Sequence, residues 1–326
     1  MRLFSHVAVC GGVGLGLGLM VSGCAVAANM VIDSSNGVFG KEPVMGVVQA
    51  SAQECAQIDA AGVGRAVWVT VGLNGYDYQE CIRYYPYGLS ATRSGNPQAI
   101  VYFSGDIWGS NGVDTTYLKS KPQDKQNESM QWSRKLNQPY IFVARPGTYG
   151  SSGVHKGARK PLESLLMTEA LNQIKQRHSI ANYVLVGHSS GGHVVASLLS
   201  KRQDVICAVA SSAPASPMLR ATLKKASSPV REFEPVNNLF SSTLHHPKLR
   251  VFVLGDLKDS NTPWASQKVL ADKLQSLKWP VSTINLTAKD SSHHILADQA
   301  RTIAGLCAQN QSTVHIKTIV EASGFK

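Results

Sequence analysis

The segment Gly187-His188-Ser189-Ser190-Gly191 sets a serine between two glycines, at the junction of Tyr183-Val184-Leu185-Val186 and Val194-Val195-Ala196-Ser197-Leu198-Leu199. The first run reads as a buried strand and the second as a packed helix. A Gly-x-Ser-x-Gly at such a junction makes a turn so sharp that the serine takes a strained backbone conformation and holds its hydroxyl out at the end of a sheet. Only small residues fit two positions either side, because strand and helix nearly touch there. Ser189 has glycine at both positions, whereas Ser190 has His188 at one, so Ser189 is the expected nucleophile and Gly192 eases the helix packing. The same glycines do not make a phosphate cradle. Gly192 is followed by His193 and Val194 rather than by Lys-Ser/Thr, and no Gly-x-Gly-x-x-Gly order occurs in the segment.

A serine hydroxyl attacks an acyl carbonyl only if a base takes its proton and a carboxylate orients the base. Beyond residue 212 the next strand-like run is Leu249-Arg250-Val251-Phe252-Val253-Leu254, leading into Gly255-Asp256-Leu257-Lys258-Asp259-Ser260-Asn261-Thr262-Pro263. Asp259, a few residues past the glycine and ahead of a Thr-Pro helix start, is the preferred acid. Asp256, nearer the strand end, is the alternative, and a helix-capping role for Asp259 competes with both. The final alternating run, Val281-Ser282-Thr283-Ile284-Asn285-Leu286, is followed by Asp290-Ser291-Ser292-His293-His294 and a helix opening at Ile295. His293 is the expected base, with His294 as the alternative base or as a neighbour shaping the pocket.

The elements that must hold these groups follow from periodicity. Strands are expected near 66–71, 80–87, 99–104, 139–144, 182–187, 205–211, 249–254 and 281–286, and helices near 161–178, 191–201, 264–278 and 295–308. Strands alternating with helices argue for a parallel sheet. A chain of 326 residues that is 43% hydrophobic is long and apolar enough for one such domain with a full core.

The elbow serine followed in order by an aspartate loop and a histidine loop resembles the α/β-hydrolase superfamily, over roughly residues 65 to 310. Within it, the chain is similar to serine esterases and to the catalytic domains of the prolyl-oligopeptidase group, in a bacterial exported form. The resemblance implies an α/β fold: a mostly parallel eight-stranded sheet with helices on both faces, a small cap at about 213–248, and the catalytic groups at the carboxyl ends of the strands. It also implies an oxyanion hole built from the Ser190 N–H and a second N–H in the loop Ser104-Gly105-Asp106-Ile107-Trp108-Gly109, with Asp106 or Ile107 as donor. A carboxylate beside an oxyanion is repulsive, so the Asp106 side chain is expected to point away. Trp108 and His188 are candidate pocket walls, although loop packing explains Trp108 equally well. The segment Arg145-Pro146-Gly147-Thr148-Tyr149-Gly150-Ser151-Ser152-Gly153 is a second candidate pocket edge or a structural turn. The activity implied is hydrolysis of carboxylic esters through an acyl-enzyme, with release to another alcohol as the acyltransferase variant. A serine peptidase of prolyl-oligopeptidase type and a non-catalytic envelope binding protein are the alternatives.

Residues 1–28 read as an export signal, with Arg2 ahead of an apolar, glycine-rich run from Val7 to Val21. Val21-Ser22-Gly23-Cys24 resembles a bacterial lipobox in which Cys24 is lipidated, and Ala25-Val26-Ala27-Ala28 offers a competing cleavage site. The expected destination is the periplasm or outer membrane, or secretion, with membrane contact only through an N-terminal lipid. Residues 29–64 then form an N-terminal extension and 65–326 the hydrolase domain. In an oxidising compartment Cys55, Cys81, Cys207 and Cys307 allow three pairings. The favoured ones are Cys55–Cys81, tying the extension to an early strand, and Cys207–Cys307, tying a strand to the last helix. No Cys-x-x-Cys or His-x-x-x-His spacing points to a metal, and no cofactor is expected. The net charge of +11 is spread over scattered lysines and arginines, not interleaved with aromatics, which argues against a nucleic-acid surface.

Overall fold

The computed structural model describes residues 50–90, 96–109, 112–113, 120–155, 158–226, 232–239 and 245–322, together with a two-residue strand pair at Ile32–Asp33 and Val38–Phe39. The expected export signal, the lipidation site Cys24 and parts of the 213–248 stretch lie outside the described residues.

Eight strands form the main sheet: β1 Arg65–Leu73, β2 Tyr76–Tyr87, β3 Asn96–Phe103, β4 Tyr140–Val143, β5 Ile180–His188, β6 Val205–Ser211, β7 Arg250–Gly255 and β8 Val281–Asn285. Their spatial order is β8-β7-β6-β5-β3-β4-β2-β1, and only the pairings of β2 with β1 and β4 are antiparallel. The central strands are continuous apolar runs buried on both faces, as a parallel sheet covered by helices requires. Strand β8, at an edge, keeps one fully buried side chain, Ile284.

Helix α1 (Ala52–Ala60) precedes the sheet, opened by a capping box in which the side chains of Ser51 and Glu54 each accept the other's backbone N–H. Helices α2 (Pro122–Leu136), α3 (Pro161–Arg177) and α4 (Ser190–Leu199) follow, the first two starting on proline. Short helices α5 (Pro217–Leu223) and α6 (Pro235–Asn238) lie between β6 and β7, and α7 (Trp264–Ser276), α8 (Ala297–Ala308) and α9 (Thr313–Ala322) complete the chain. Leu166, Leu171, Val195 and Leu270 from α3, α4 and α7 pack one core; Leu136, Ile303 and Ile316 from α2, α8 and α9 pack the other. Helices therefore cover both faces. Disulfides join Cys55 of α1 to Cys81 of β2 and Cys207 of β6 to Cys307 of α8, the pairings favoured from the sequence.

The register levels the strand ends. Phe103 lies opposite Gly187, Ser211 opposite both His188 and Leu254, and Gly255 opposite Asn285. The chain leaves β3 toward one side of the sheet and β5 toward the other, so a crevice opens between the two where the order reverses. The loops after β3, β5, β6, β7 and β8 meet at this end.

Candidate active site

Ser189 sits between β5 and α4 at φ +53° and ψ −122°, a left-handed conformation that an L-residue adopts only under constraint. Neighbouring contacts supply the constraint. A Cβ on Gly187 would lie 2.2 Å from the Gly191 carbonyl oxygen, and one on Gly191 would lie 2.0 Å from the Phe103 carbonyl oxygen. Both positions exclude any side chain, which is the reason for the Gly-x-Ser-x-Gly spacing. The Ser189 N–H donates to the Ser211 carbonyl at 2.8 Å, pinning the turn to the end of β6. On the other side the loop after β3 comes close: a Cβ on Gly105 would be 3.0 Å from the Ser189 Cβ.

Two adjacent histidines meet two aspartates of the β7 loop, and the fold sorts them. His294 Nδ1 hydrogen-bonds Asp259 Oδ2 at 2.8 Å with both side chains buried, while His293 Nδ1 hydrogen-bonds Asp256 Oδ2 at 3.0 Å with its ring 34% exposed. His294 walls the same cavity as Ser189; His293 does not. The structure thus places His294, the alternative base, on the cavity wall with Ser189, and leaves His293, the histidine favoured by sequence, out of that lining. The cause is local. Asp290 accepts the N–H groups of Ser292, His294 and Ile295, winding the loop into a tight turn with His293 at φ +55°. That turn aims consecutive rings at different aspartates. Ser212 Oγ also donates to the His294 carbonyl at 2.7 Å, fixing its backbone.

Asp259 is well supplied with donors. Its Oδ1 accepts the N–H groups of Asn261 and Thr262 at 2.9 and 2.7 Å, and its Oδ2 accepts Gln267 Nε2 at 3.1 Å beside His294. Asp256 accepts the N–H groups of Lys258 and Ala288, which clamps the β7 and β8 loops together. The His188 ring lies 4.9 Å from that of His294, and burial, with His294 adding to it, pushes its pKa down to about 3. His188 is therefore a neutral wall of the cavity at ordinary pH.

The Asp106 side chain points into a buried ion cluster. Arg145 and Arg159 both donate to it, and so does Ser190 Oγ, at 2.6 Å. Burial by itself would raise the carboxyl, but Arg145 and Arg159 outweigh it and hold Asp106 below the usual carboxylate range. Its charge is thereby balanced next to the turn. Arg159 further donates to Glu232 and to Ser190 Oγ, so one guanidinium links the β3 loop, the nucleophile turn and the segment ahead of α6.

These loops enclose a cavity of about 790 Å³, within the range of small-molecule sites. Gly105, Asp106, Ile107, His188, Ser189 and Ser190 line it; so do Tyr149 from the 145–153 segment and Arg159, Arg220, Asn261 and Thr262. The pocket role expected of the Trp108 side chain lies outside the described residues. Arg159 and Arg220 were not singled out by sequence reasoning, since an arginine outside any motif carries no local signal. Arg220 falls in the 213–248 stretch expected as a cap, whereas Arg159 lies beyond the 145–153 segment.

A family model described as serine aminopeptidase, S33, matches residues 150–292, which hold the elbow and both aspartates and end one residue before the histidine pair. That match spans less than half of the chain, and the sheet order and the strained Ser189 agree with the fold it names. The chain has an α/β-hydrolase fold. Solved structures similar to this chain include an esterase of Pyrococcus furiosus, at 10% identity and TM-score 0.49, with 82% of this chain and 97% of that chain covered. Another is an acylaminoacyl peptidase of Pyrococcus horikoshii, at 11% identity and TM-score 0.48, covering 76% of this chain and 41% of the peptidase. A third is Est1E of Butyrivibrio proteoclasticus with ferulic acid bound, at 10% identity and TM-score 0.47, covering 74% and 98% of the two chains. No curated protein resembles the chain closely enough to count as a match.

Proposed function

We propose that this α/β-hydrolase is an exported serine hydrolase that cleaves carboxylic esters, with Ser189 as nucleophile, His294 as base and Asp259 as orienting acid. One observation carries the reading: His294 and Ser189 wall one cavity while the far nitrogen of His294 is bonded to a buried carboxylate. A His294 Nδ1–H donated to Asp259 leaves Nε2 unprotonated, the tautomer that a base needs. Nε2 takes the Ser189 Oγ proton as Oγ adds to the ester carbonyl, then returns it to the departing alcohol. Water repeats the sequence on the acyl-enzyme and releases the acid.

The carbonyl oxygen becomes an anion in the tetrahedral intermediate. The N–H of Ser190, at the first turn of α4, is one donor to it, and Asp106 or Ile107 supplies the second. Neutralisation of Asp106 by Arg145 and Arg159 lets an aspartate occupy this loop without opposing that charge.

The family description would also suit an aminopeptidase. The charged groups that line the cavity speak for the ester: a substrate ammonium would face Arg159 and Arg220, and the lining carboxylate, Asp106, is already paired. Two disulfides fit an oxidising compartment, in keeping with export and with anchoring through Cys24. The test is labelling by a fluorophosphonate and turnover of short-chain 4-nitrophenyl esters, compared with Ser189→Ala. Both should vanish in a folded variant, and turnover retained by Ser189→Ala would end the proposal.

A further inference from the structure

The guanidinium groups on the cavity wall differ in what they already hold. Arg159 is occupied by Asp106, Glu232 and Ser190 Oγ, and only 12% of its side chain is exposed. Arg220, on α5, donates from Nε to the Asn261 carbonyl at 3.0 Å and, at the long distance of 3.5 Å, from Nη2 to Asn261 Oδ1. It makes no ion pair among the described residues, and Nη1 has no partner there. A part-buried arginine without a carboxylate is uncommon, because desolvating the charge is costly unless an anion offsets it. Burial, with the positive charge of Arg159 adding to it, lowers the Arg220 pKa, so the group is held at some electrostatic cost. The anions that influence it, Glu232, Asp106 and Asp259, are each hydrogen-bonded to other groups. Asn261, which Arg220 bonds, and Thr262 line the same cavity and belong to the loop that carries Asp259, so the arginine and the proposed triad share one cavity.

We infer that Arg220 is the recognition residue for a carboxylate on the substrate, so that the ester hydrolysed at Ser189 carries a second, free carboxylate group. The inference rests on the esterase reading above and deepens it. A guanidinium presents a planar fork that matches a carboxylate through two parallel N–H donors, and Nη1 and the weakly engaged Nη2 are the edge that remains available. A cavity of about 790 Å³ has room for the reacting ester and for a chain reaching from it to the arginine. The carboxylate can belong to the acyl part, as in the monoester of a dicarboxylic acid, or to the alcohol part, as in an acylated hydroxy acid. The chemistry of recognition is the same for both.

Matched pairs separate these cases. The acyl-side pair is monomethyl adipate and methyl hexanoate; the alcohol-side pair is 6-acetoxyhexanoate and hexyl acetate. The readout is the ratio of kcat/KM for the anionic member over the neutral one, in wild type, Arg220→Met and Arg220→Lys. A charge-assisted hydrogen-bonded contact predicts a wild-type ratio of about ten to a hundred in at least one pair. The ratio should collapse toward one in Arg220→Met and be partly kept in Arg220→Lys, mainly through KM. A wild-type ratio near one in both pairs, which needs no variant to fold, overturns the inference. So does a ratio unchanged in a folded Arg220→Met. If wild type turns over none of the four esters above the Ser189→Ala background but is labelled by the fluorophosphonate, the carboxylate inference fails and the serine nucleophile stands. If neither turnover nor labelling occurs, the esterase reading itself has failed.

Discussion

Replacing each of the two neighbouring histidines in turn distinguishes the proposed base from its neighbour by a wide margin. His294 is bonded to Asp259 at 2.8 Å in a buried setting and shares the cavity with Ser189. Removing it takes away the proton acceptor altogether. Loss of a triad base costs about 10⁵–10⁶ in kcat, roughly 7–8 kcal/mol of barrier. His293 reaches Asp256 at 3.0 Å from a ring that is 34% exposed. Losing that bond to a carboxylate costs about 1.5–3 kcal/mol, and if all of it were transferred to the barrier the rate would fall about ten- to a hundredfold. Asp256 retains the N–H groups of Lys258 and Ala288, so the loops stay joined. His293→Asn is the better replacement, because the position has φ +55° and asparagine tolerates that region. The assay is kcat for 4-nitrophenyl butyrate, with fluorophosphonate titration of active sites and a thermal melt to confirm folding. His294→Ala should be slower than His293→Asn by at least about 10³. Equal losses, or the opposite order, would refute the assignment of the base and the geometric argument behind it.

Two further outcomes follow from the fold. Burial raises the Glu80 carboxyl to about 7, against a smaller opposing effect from its hydrogen bond with Ser152. The folded state then holds a proton that the unfolded chain releases near 4.5, so stability falls as pH rises from about 4.5 through about 7. Glu80→Gln should remove that slope, seen as a Tm that changes less between pH 5 and 8; an unchanged slope would contradict the half-buried placement of Glu80 as the cause. The two disulfides close loops of unequal length, 100 residues for Cys207–Cys307 and 26 for Cys55–Cys81. Chain entropy assigns them about 4.7 and about 3.5 kcal/mol, so the Cys207→Ser, Cys307→Ser double variant should be the less stable in urea unfolding. The reverse ranking would show that loop closure does not govern their contributions.

The elements that built this site were unequally legible. The central strands hold continuous apolar runs of four to six residues, and all eight expected strands match the observed ones to within four residues at each end. Helix α2 carries a weak sequence signal because its buried face uses Ser129, Trp132, Ser133 and Leu136: the spacing is helical, but two of the four residues are serines. Helices α1 and α9 are no more legible. They rest on the fold through few buried apolar residues, Cys55 and Ile58 in one and Ile316 and Val320 in the other.

What the sequence determined by itself was every feature imposed by local crowding or local periodicity. The Gly187 and Gly191 requirement follows from two carbonyl groups about 2 Å from any added Cβ, and the alternating strands and helices follow from apolar repeats. These constraints act over a few residues, so a single segment displays them. The choice between His293 and His294, the pairing of each with its own aspartate, and the gathering of Arg145, Arg159 and Arg220 around the crevice were decided only by tertiary structure. Adjacent histidines are equivalent in a string of letters. They differ once a tight turn sends one ring into a buried cavity and the other toward solvent, and once loops more than thirty residues apart supply the carboxylates.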